Sequence, residues 1–219
     1  MNDQLILKFP SQKAYKKEDF YVSPSNQKAY DFINSWPKWI KRIVNIFGPS
    51  GSGKSHLASI LRSKTSCLQI DSKELNEKVF LEFKTKEALI LEDMDKNISE
   101  NLLFTLWNIV LQDNKYFLIT SKNPINFYKF KLKDLTSRIN SSLVIGLNLP
   151  SDDLISVILA KNFSDKQIKV EKKHIDYIIK RIDRSYEKIS QFILTLDKYS
   201  LKKGSPFSLK MIKEVLKMI

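Results

Sequence analysis

The sequence predicts an α/β fold, a parallel five-stranded sheet followed by a small all-α unit. Three observations predict it. "IFGPSGSGKSHLAS" (46–59) joins an apolar run to a helix-like one through a glycine-rich loop. Four further strand-like runs alternate with helix-like stretches up to Pro150. From residue 151 onward only helical periodicity remains.

The first strand and its loop carry the strongest signal. "RIVNIF" (42–47) is short, β-branched and apolar, which reads as a buried strand. Behind it Gly48, Gly53, Lys54 and Ser55 fit G-x-x-x-x-G-K-[ST], the phosphate-binding P-loop. Glycines let backbone N–H groups turn inward around an anion, a curvature that side-chained residues resist. The expected cradle is Gly48, Pro49, Ser50, Gly51, Ser52 and Gly53, closed by Lys54, Ser55 and His56. Lys54 reaches the β- and γ-phosphates, and the Ser55 hydroxyl ligates magnesium. Leu57, Ile60 and Leu61 fall at i, i+3 and i+4, so a helix opens at the loop and offers the anion its positive end.

The later strands are "SCLQI" (66–70), "EALILE" (87–92), "KYFLIT" (115–120) and "SLVIGLNL" (142–149). Between them "ENLLFTLWNIVLQ" (100–112) places Leu102, Leu103, Leu106, Ile109 and Val110 on one helix face, with Trp107 in the core. Strands alternating with helices give a parallel sheet with both faces covered. After "NLPSDD" the pattern changes. Ile175, Ile178, Ile179 and Ile182 form one stripe, and Ile189, Phe192, Ile193 and Leu196 another. Ser208 is placed to cap a last helix carrying Ile212, Val215, Leu216 and Ile219. The expected division is an α/β nucleotide-binding domain over 19–150 and a helical lid over 151–219.

Phosphoryl chemistry needs magnesium held at a strand end with a polarised water beside it. "ALILEDMD" (88–95) ends an apolar strand in Glu92 and Asp93, about 40 residues after the P-loop. One carboxylate, Glu92, is expected to hold the ion with Ser55, and Asp93 to orient the nucleophile. Asp95 reads as turn chemistry. "FLITSKN" (117–123) puts Ser121 or Asn123 beside the γ-phosphate if its strand lies between those of the P-loop and Glu92; it equally fits an ordinary strand exit.

Composition limits the alternatives. Hydrophobic residues make up 42% of 219, enough for a real core. No apolar run approaches the ~18 residues of a membrane span, and "MNDQLILKFP" is too short for a secretory signal. The single cysteine, Cys67, reads as a strand hydrophobe, and a cytoplasmic protein is expected. The net charge of +13 has two readings. It either marks a polyanionic partner or reflects a composition bias, since 32 of the 37 basic residues are Lys. Where Arg persists, at 42, 62, 138, 181 and 184, its bidentate fork is the more significant.

The order P-loop, "LILED", "LITSKN", "LKDLTSRI" and helical lid resembles AAA+ ATPases of the DnaA replication-initiator group. "DFYVSPSNQKAYDFI" (19–33) is similar to that group's segment ahead of the P-loop. The resemblance covers nearly the whole chain. It implies ATP or ADP with Mg2+ as cofactor, Tyr21 and Val22 against the base, and Arg138 of "LTSRI" as an arginine finger for a neighbouring subunit's nucleotide. A nucleotide-dependent homo-oligomer is one assembly it allows.

Two features narrow the resemblance to the Hda family of regulatory inactivators of the initiator. The chain is expected to stop at its lid, without the initiator's helix-turn-helix domain. "QLILKF" (4–9) resembles a sliding-clamp-binding motif anchored by Gln4, Leu5, Leu7 and Phe9 within an N-terminal segment 1–18, although it also fits an apolar strand. The resemblance implies a DnaA-type initiator and the sliding clamp as partners, with DNA reached mainly through the clamp. The implied function is to make ATP-bound initiator hydrolyse its nucleotide and so restrain re-initiation. The lid helix "DRSYEKISQFILTLDKYS" (183–200) departs from the group. Glu187 falls at the sensor-2 position, with Arg184 one turn earlier as the cationic phosphate ligand. A carboxylate there repels a triphosphate, so intrinsic hydrolysis is expected to be weak. A helicase-loader or transposition-helper ATPase gripping single-stranded DNA is the rival reading.

Overall fold

The computed structural model describes residues 20–166, 168, 170–203 and 208–219; the predicted clamp anchors Gln4, Leu5, Leu7 and Phe9 lie outside them. Five strands, β1 (Ile43–Phe47), β2 (Cys67–Asp71), β3 (Ala88–Met94), β4 (Tyr116–Ser121) and β5 (Leu143–Gly146), form one sheet in the order β2-β3-β4-β1-β5. Every pairing is parallel.

Strand periodicity of two sorts the core into layers. Leu89, Leu91, Phe117 and Ile119 join one cluster, beneath α3 (Glu77–Phe83), α4 (Glu100–Gln112) and α5 (Lys133–Ser141). Their strand neighbours Ile90 and Leu118, with Val44 and Ile46, join the other, beneath α1 (Gln27–Asn34) and α2 (Lys54–Arg62). Trp107 is in the first cluster, as its helix position predicts. Both faces are therefore covered, the normal state of a parallel sheet.

The fifth strand is shorter than the predicted 142–149. Leu147 N makes a last bond to β1, donating to Phe47 O (2.7 Å); beyond it Asn148 N donates to Ser25 O (3.0 Å), and Leu149 turns to solvent. The apolar run continues past the ladder because Leu147 fills the layer under α1 and α2.

Helices α6 (Asp152–Asp165), α7 (Lys172–Ile179), α8 (Tyr186–Lys203) and α9 (Leu209–Leu216) close around a separate apolar cluster. It contains Ile175, Ile178, Ile189, Phe192, Leu196, Ile212 and Val215, the stripes read from the sequence. Ser208 Oγ accepts from Met211 N and caps α9. Ser151 caps α6 in the same way, by accepting from Leu154 N. Among the described residues no helix is long and apolar enough to cross a membrane.

Candidate nucleotide-binding site

The site lies at the C-terminal ends of β1, β3 and β4, where a parallel sheet offers its loops. Gly51 and Gly53 have φ of 80° and 99°, in the left-handed region that glycine enters without strain. A Cβ at Gly51 would stand 3.0 Å from the Tyr186 Cβ, and one at Gly53 3.0 Å from the Phe20 ring. The loop is thus shaped from one side by the lid and from the other by the segment ahead of α1. Gly53 is the N-cap of α2 and no side chain caps that helix, so its first amides remain available to an anion.

Lys54 lies back over the loop, with Nζ donating to Gly48 O (2.8 Å) and Pro49 O (3.0 Å). Burial holds its pKa below the ordinary lysine value, while Asp93 and Glu92 pull it the other way and Lys122 adds to the depression. Ser52 Oγ is buried without a hydrogen-bond partner, an orphan within the cradle. Left-handed glycines, an orphaned hydroxyl, an uncapped helix start and a desolvated ammonium fit a phosphate group.

A bulge aims the acidic pair. Leu91 pairs with Ile119 and Met94 with Ser121, so Glu92 and Asp93 together face Thr120. Asp93 has φ 50° and its N–H donates to Thr120 Oγ1 (3.0 Å), which leaves its carboxylate exposed. Glu92 accepts from Ser55 Oγ (3.2 Å) and from Gln69 Nε2 (3.0 Å). Burial raises its pKa, and the neighbouring Asp93 adds to that against the two hydrogen bonds. Among the described residues no group of three or more His, Cys, Asp or Glu could hold a metal by itself. Magnesium does not need one: it keeps several waters and takes one or two carboxylates plus substrate phosphates. Ser55 and Glu92 supply that kind of donor set. Asp95, by contrast, closes a local turn by accepting from Asn97 N (2.7 Å).

The sheet order puts β4 between β1 and β3, the condition set for Ser121 and Asn123. Ser121 is fully buried, and its Oγ donates to Asn123 O (2.7 Å) while accepting from Asn45 Nδ2 (2.8 Å). It fixes the strand exit from inside. Asn123 is the exposed member of the two. Tyr21 is exposed and Val22 half-buried, in a segment held where Asn26 Nδ2 donates to Tyr21 O (3.0 Å). Phe20 stacks on Tyr30 and meets His56 edge-on at 5.1 Å.

From the lid, Tyr186 is buried over Gly51 and donates to Asn148 O (3.2 Å), while burial pushes its phenol pKa up. Beside it a cleft of ≈ 400 Å³ is lined by Ser50, Gly51, Glu187 and Gln191. Arg184 does not turn to the loop: its guanidinium forks onto Asp152 at 2.9 and 3.1 Å. Arg138 is on α5, across the sheet from α2, with its guanidinium 4.7 Å from the Phe104 ring centroid. Sequence reading missed Phe20, Gln69, Thr120 and Tyr186. All four act through contacts between distant segments, and no local pattern marks them.

A parallel sheet with this loop and these strand ends, closed by a helical lid, defines a P-loop protein of the AAA+ fold. Domain III of the replication initiation protein DnaA from Thermotoga maritima superposes with a TM-score of 0.75 at 20% identity, over 95% of this chain and 98% of that one. AMPPCP-bound DnaA from Aquifex aeolicus gives 0.70 at 17% identity, over 87% and 67%. In sequence, the chromosomal replication initiator protein DnaA of Campylobacter jejuni is 24% identical over 227 residues, 91% of this chain and 51% of that protein. That of Borrelia turicatae is 28% identical over 199 residues, 78% and 41%. The chain spans about half the length of the curated relatives it matches. No protein-family model matches it. The chain has the AAA+ fold of these structures and is similar in sequence to DnaA-type replication initiators.

Proposed function

We propose that this chain is a regulatory relative of the initiator that holds adenine nucleotide in its own P-loop and uses Arg138 on ATP bound by a DnaA-type initiator. In this reading residues 1–18 tether it to the sliding clamp, 19–150 bind nucleotide and 151–219 form the lid. DNA is reached mainly through the clamp, and the outcome is restraint of re-initiation.

The observation that carries the reading is the position of Arg138. The P-loop helix α2 packs on one face of the sheet and α5 on the other, so this guanidinium is separated from its own cradle. Among the described residues no hydrogen bond or ion pair takes up its N–H groups. A guanidinium held this way suits phosphates presented by a second chain, where such groups are worth about 10³–10⁵ in rate. The chain's own site supports a weak engine. Glu187 lines the loop cleft and the Arg184 guanidinium is engaged by Asp152 rather than turned to the loop. Lys54 and the α2 amides bind the phosphates, Ser55 and Glu92 hold magnesium, and Asp93 with Asn123 orients the water beside it. The metal supplies neutralisation of charge on the phosphate oxygens.

The test measures initiator-bound ATP over time on clamp-loaded DNA. Arg138→Ala should bind ADP and clamp normally and lose stimulation of initiator hydrolysis, and Arg138→Lys should rescue little. Stimulation by Arg138→Ala at the wild-type rate sinks the reading. One observation favours the loader alternative: Phe127 is 75% exposed on a core-anchored turn, among exposed Lys122, Lys129, Lys131 and Lys133. Salt-dependent binding of single-stranded DNA without clamp would support that alternative.

A further inference from the structure

Arg138 rests on helix α4, with its guanidinium 4.7 Å from the Phe104 ring centroid. Helix α5 starts without a side-chain cap at Leu132. In place of a cap, the Glu100 carboxylate in the first turn of α4 accepts from Lys131 N (3.0 and 2.9 Å) and Leu132 N (2.9 Å). Phe104 follows at i+4, on the same helix face. Its half-buried ring packs against the core cluster and carries the Arg138 guanidinium. Leu135 and Ile139, fully buried, fix the underside of α5. Two points on α4 therefore set the helix and then the side chain.

A guanidinium is planar, with its donors in the plane. Stacking one face on an aromatic ring leaves the N–H edge free for an anion. Arg184 and Arg138 differ on this point, since Asp152 has taken the fork of Arg184. Asp134 lines the same shallow hollow as Phe104, with Asn101, Leu132 and Lys133, but among the described residues no ion pair joins it to Arg138.

We propose that Phe104 is a positioning residue for Arg138, holding the guanidinium plane so that its N–H edge meets a phosphate group presented by a partner chain. The inference rests on the trans reading of Arg138. An unsupported arginine samples many rotamers, and an exposed cation–π contact biases them by about two- to fivefold.

The experiment compares Phe104→Leu, Phe104→Tyr, Arg138→Ala and the Phe104→Leu/Arg138→Ala pair. The assay is hydrolysis of ATP on cognate initiator with clamp-loaded DNA, titrated with this chain. Leu keeps apolar bulk and removes the ring quadrupole. It should lower the maximal rate about two- to fivefold at an unchanged half-saturating concentration. Tyr should restore the rate, and Leu should have no further effect in the Arg138→Ala background. The Arg138 side-chain resonances should carry a ring-current shift in wild type and in Phe104→Tyr, and lose it in Phe104→Leu. Should Leu prevent folding, Phe104→Met takes its place. Stimulation by Arg138→Ala at the wild-type rate would remove the trans reading itself. If Arg138→Ala is inactive but Phe104→Leu matches or exceeds wild type, the Phe104 inference alone is overturned.

Discussion

Replacing Lys54 by Met separates nucleotide affinity from fold stability. Met keeps the aliphatic volume and removes the ammonium. In the structure that ammonium donates to Gly48 O and Pro49 O at 2.8 and 3.0 Å; on the proposed function a bound nucleotide would replace those acceptors with phosphate oxygens. At an effective dielectric of about 20, unit charges about 4 Å apart interact by about 4 kcal/mol. Giving up two hydrogen bonds of about 1 kcal/mol each leaves about 2 kcal/mol, a factor of about 30 in Kd. The true loss should be larger, because the phosphates carry more than one charge. Stability moves little. The two carbonyls lose a donor, but a desolvated ammonium with a depressed pKa is also removed. The opposing effects should leave Tm within about 4 °C of wild type. Calorimetry with ADP and a thermal melt of the nucleotide-free protein give both quantities. Equal ADP affinity for Lys54→Met and wild type would refute phosphate binding by this loop. A collapse of Tm would mean instead that Lys54 is part of the core.

Glu92→Gln should abolish the increase in ADP affinity that magnesium provides and leave magnesium-free ADP affinity within about twofold, because the amide keeps the Gln69 and Ser55 neighbourhood but not the charge. Retention of the full magnesium effect would remove Glu92 from the metal site. Glu100 gives a pH signature. Its pKa is lowered, chiefly by the backbone N–H groups of Lys131 and Leu132. A depressed carboxylate adds stability above its unfolded pKa, and that stability is lost as pH falls through the folded value. Melts from neutral to acid pH should show this slope in wild type and a shallower one in Glu100→Gln; identical slopes would mean that the carboxylate does not anchor α5.

Much of the site could be read in advance, for reasons tied to particular residues. Gly48, Gly53, Lys54 and Ser55 lie on one continuous eight-residue stretch of chain, so spacing alone specifies the loop. The Glu92–Asp93 pair was also legible, because a strand end is a local feature. Ser121 and Arg184 show the limit. Both sit at the expected chain positions, yet Asn45 and Asp152 determine what their polar groups do. Neither partner is near in sequence.

The sequence by itself determined the five strands to within a few residues, the α/β class and the glycine-rich loop, because periodicity, glycine spacing and capping act within a few residues. Tertiary structure decided the rest. It set the strand order that places β4 between the loop and the acidic pair, the bulge that turns Asp93 outward, and the closure of Tyr186 over Gly51. It also put Arg138 on Phe104 across the sheet from α2. The physical reason is range. Hydrogen bonds along helices and turns join near neighbours. The contacts that orient a guanidinium or a carboxylate join segments brought together only when the apolar faces of the sheet are buried.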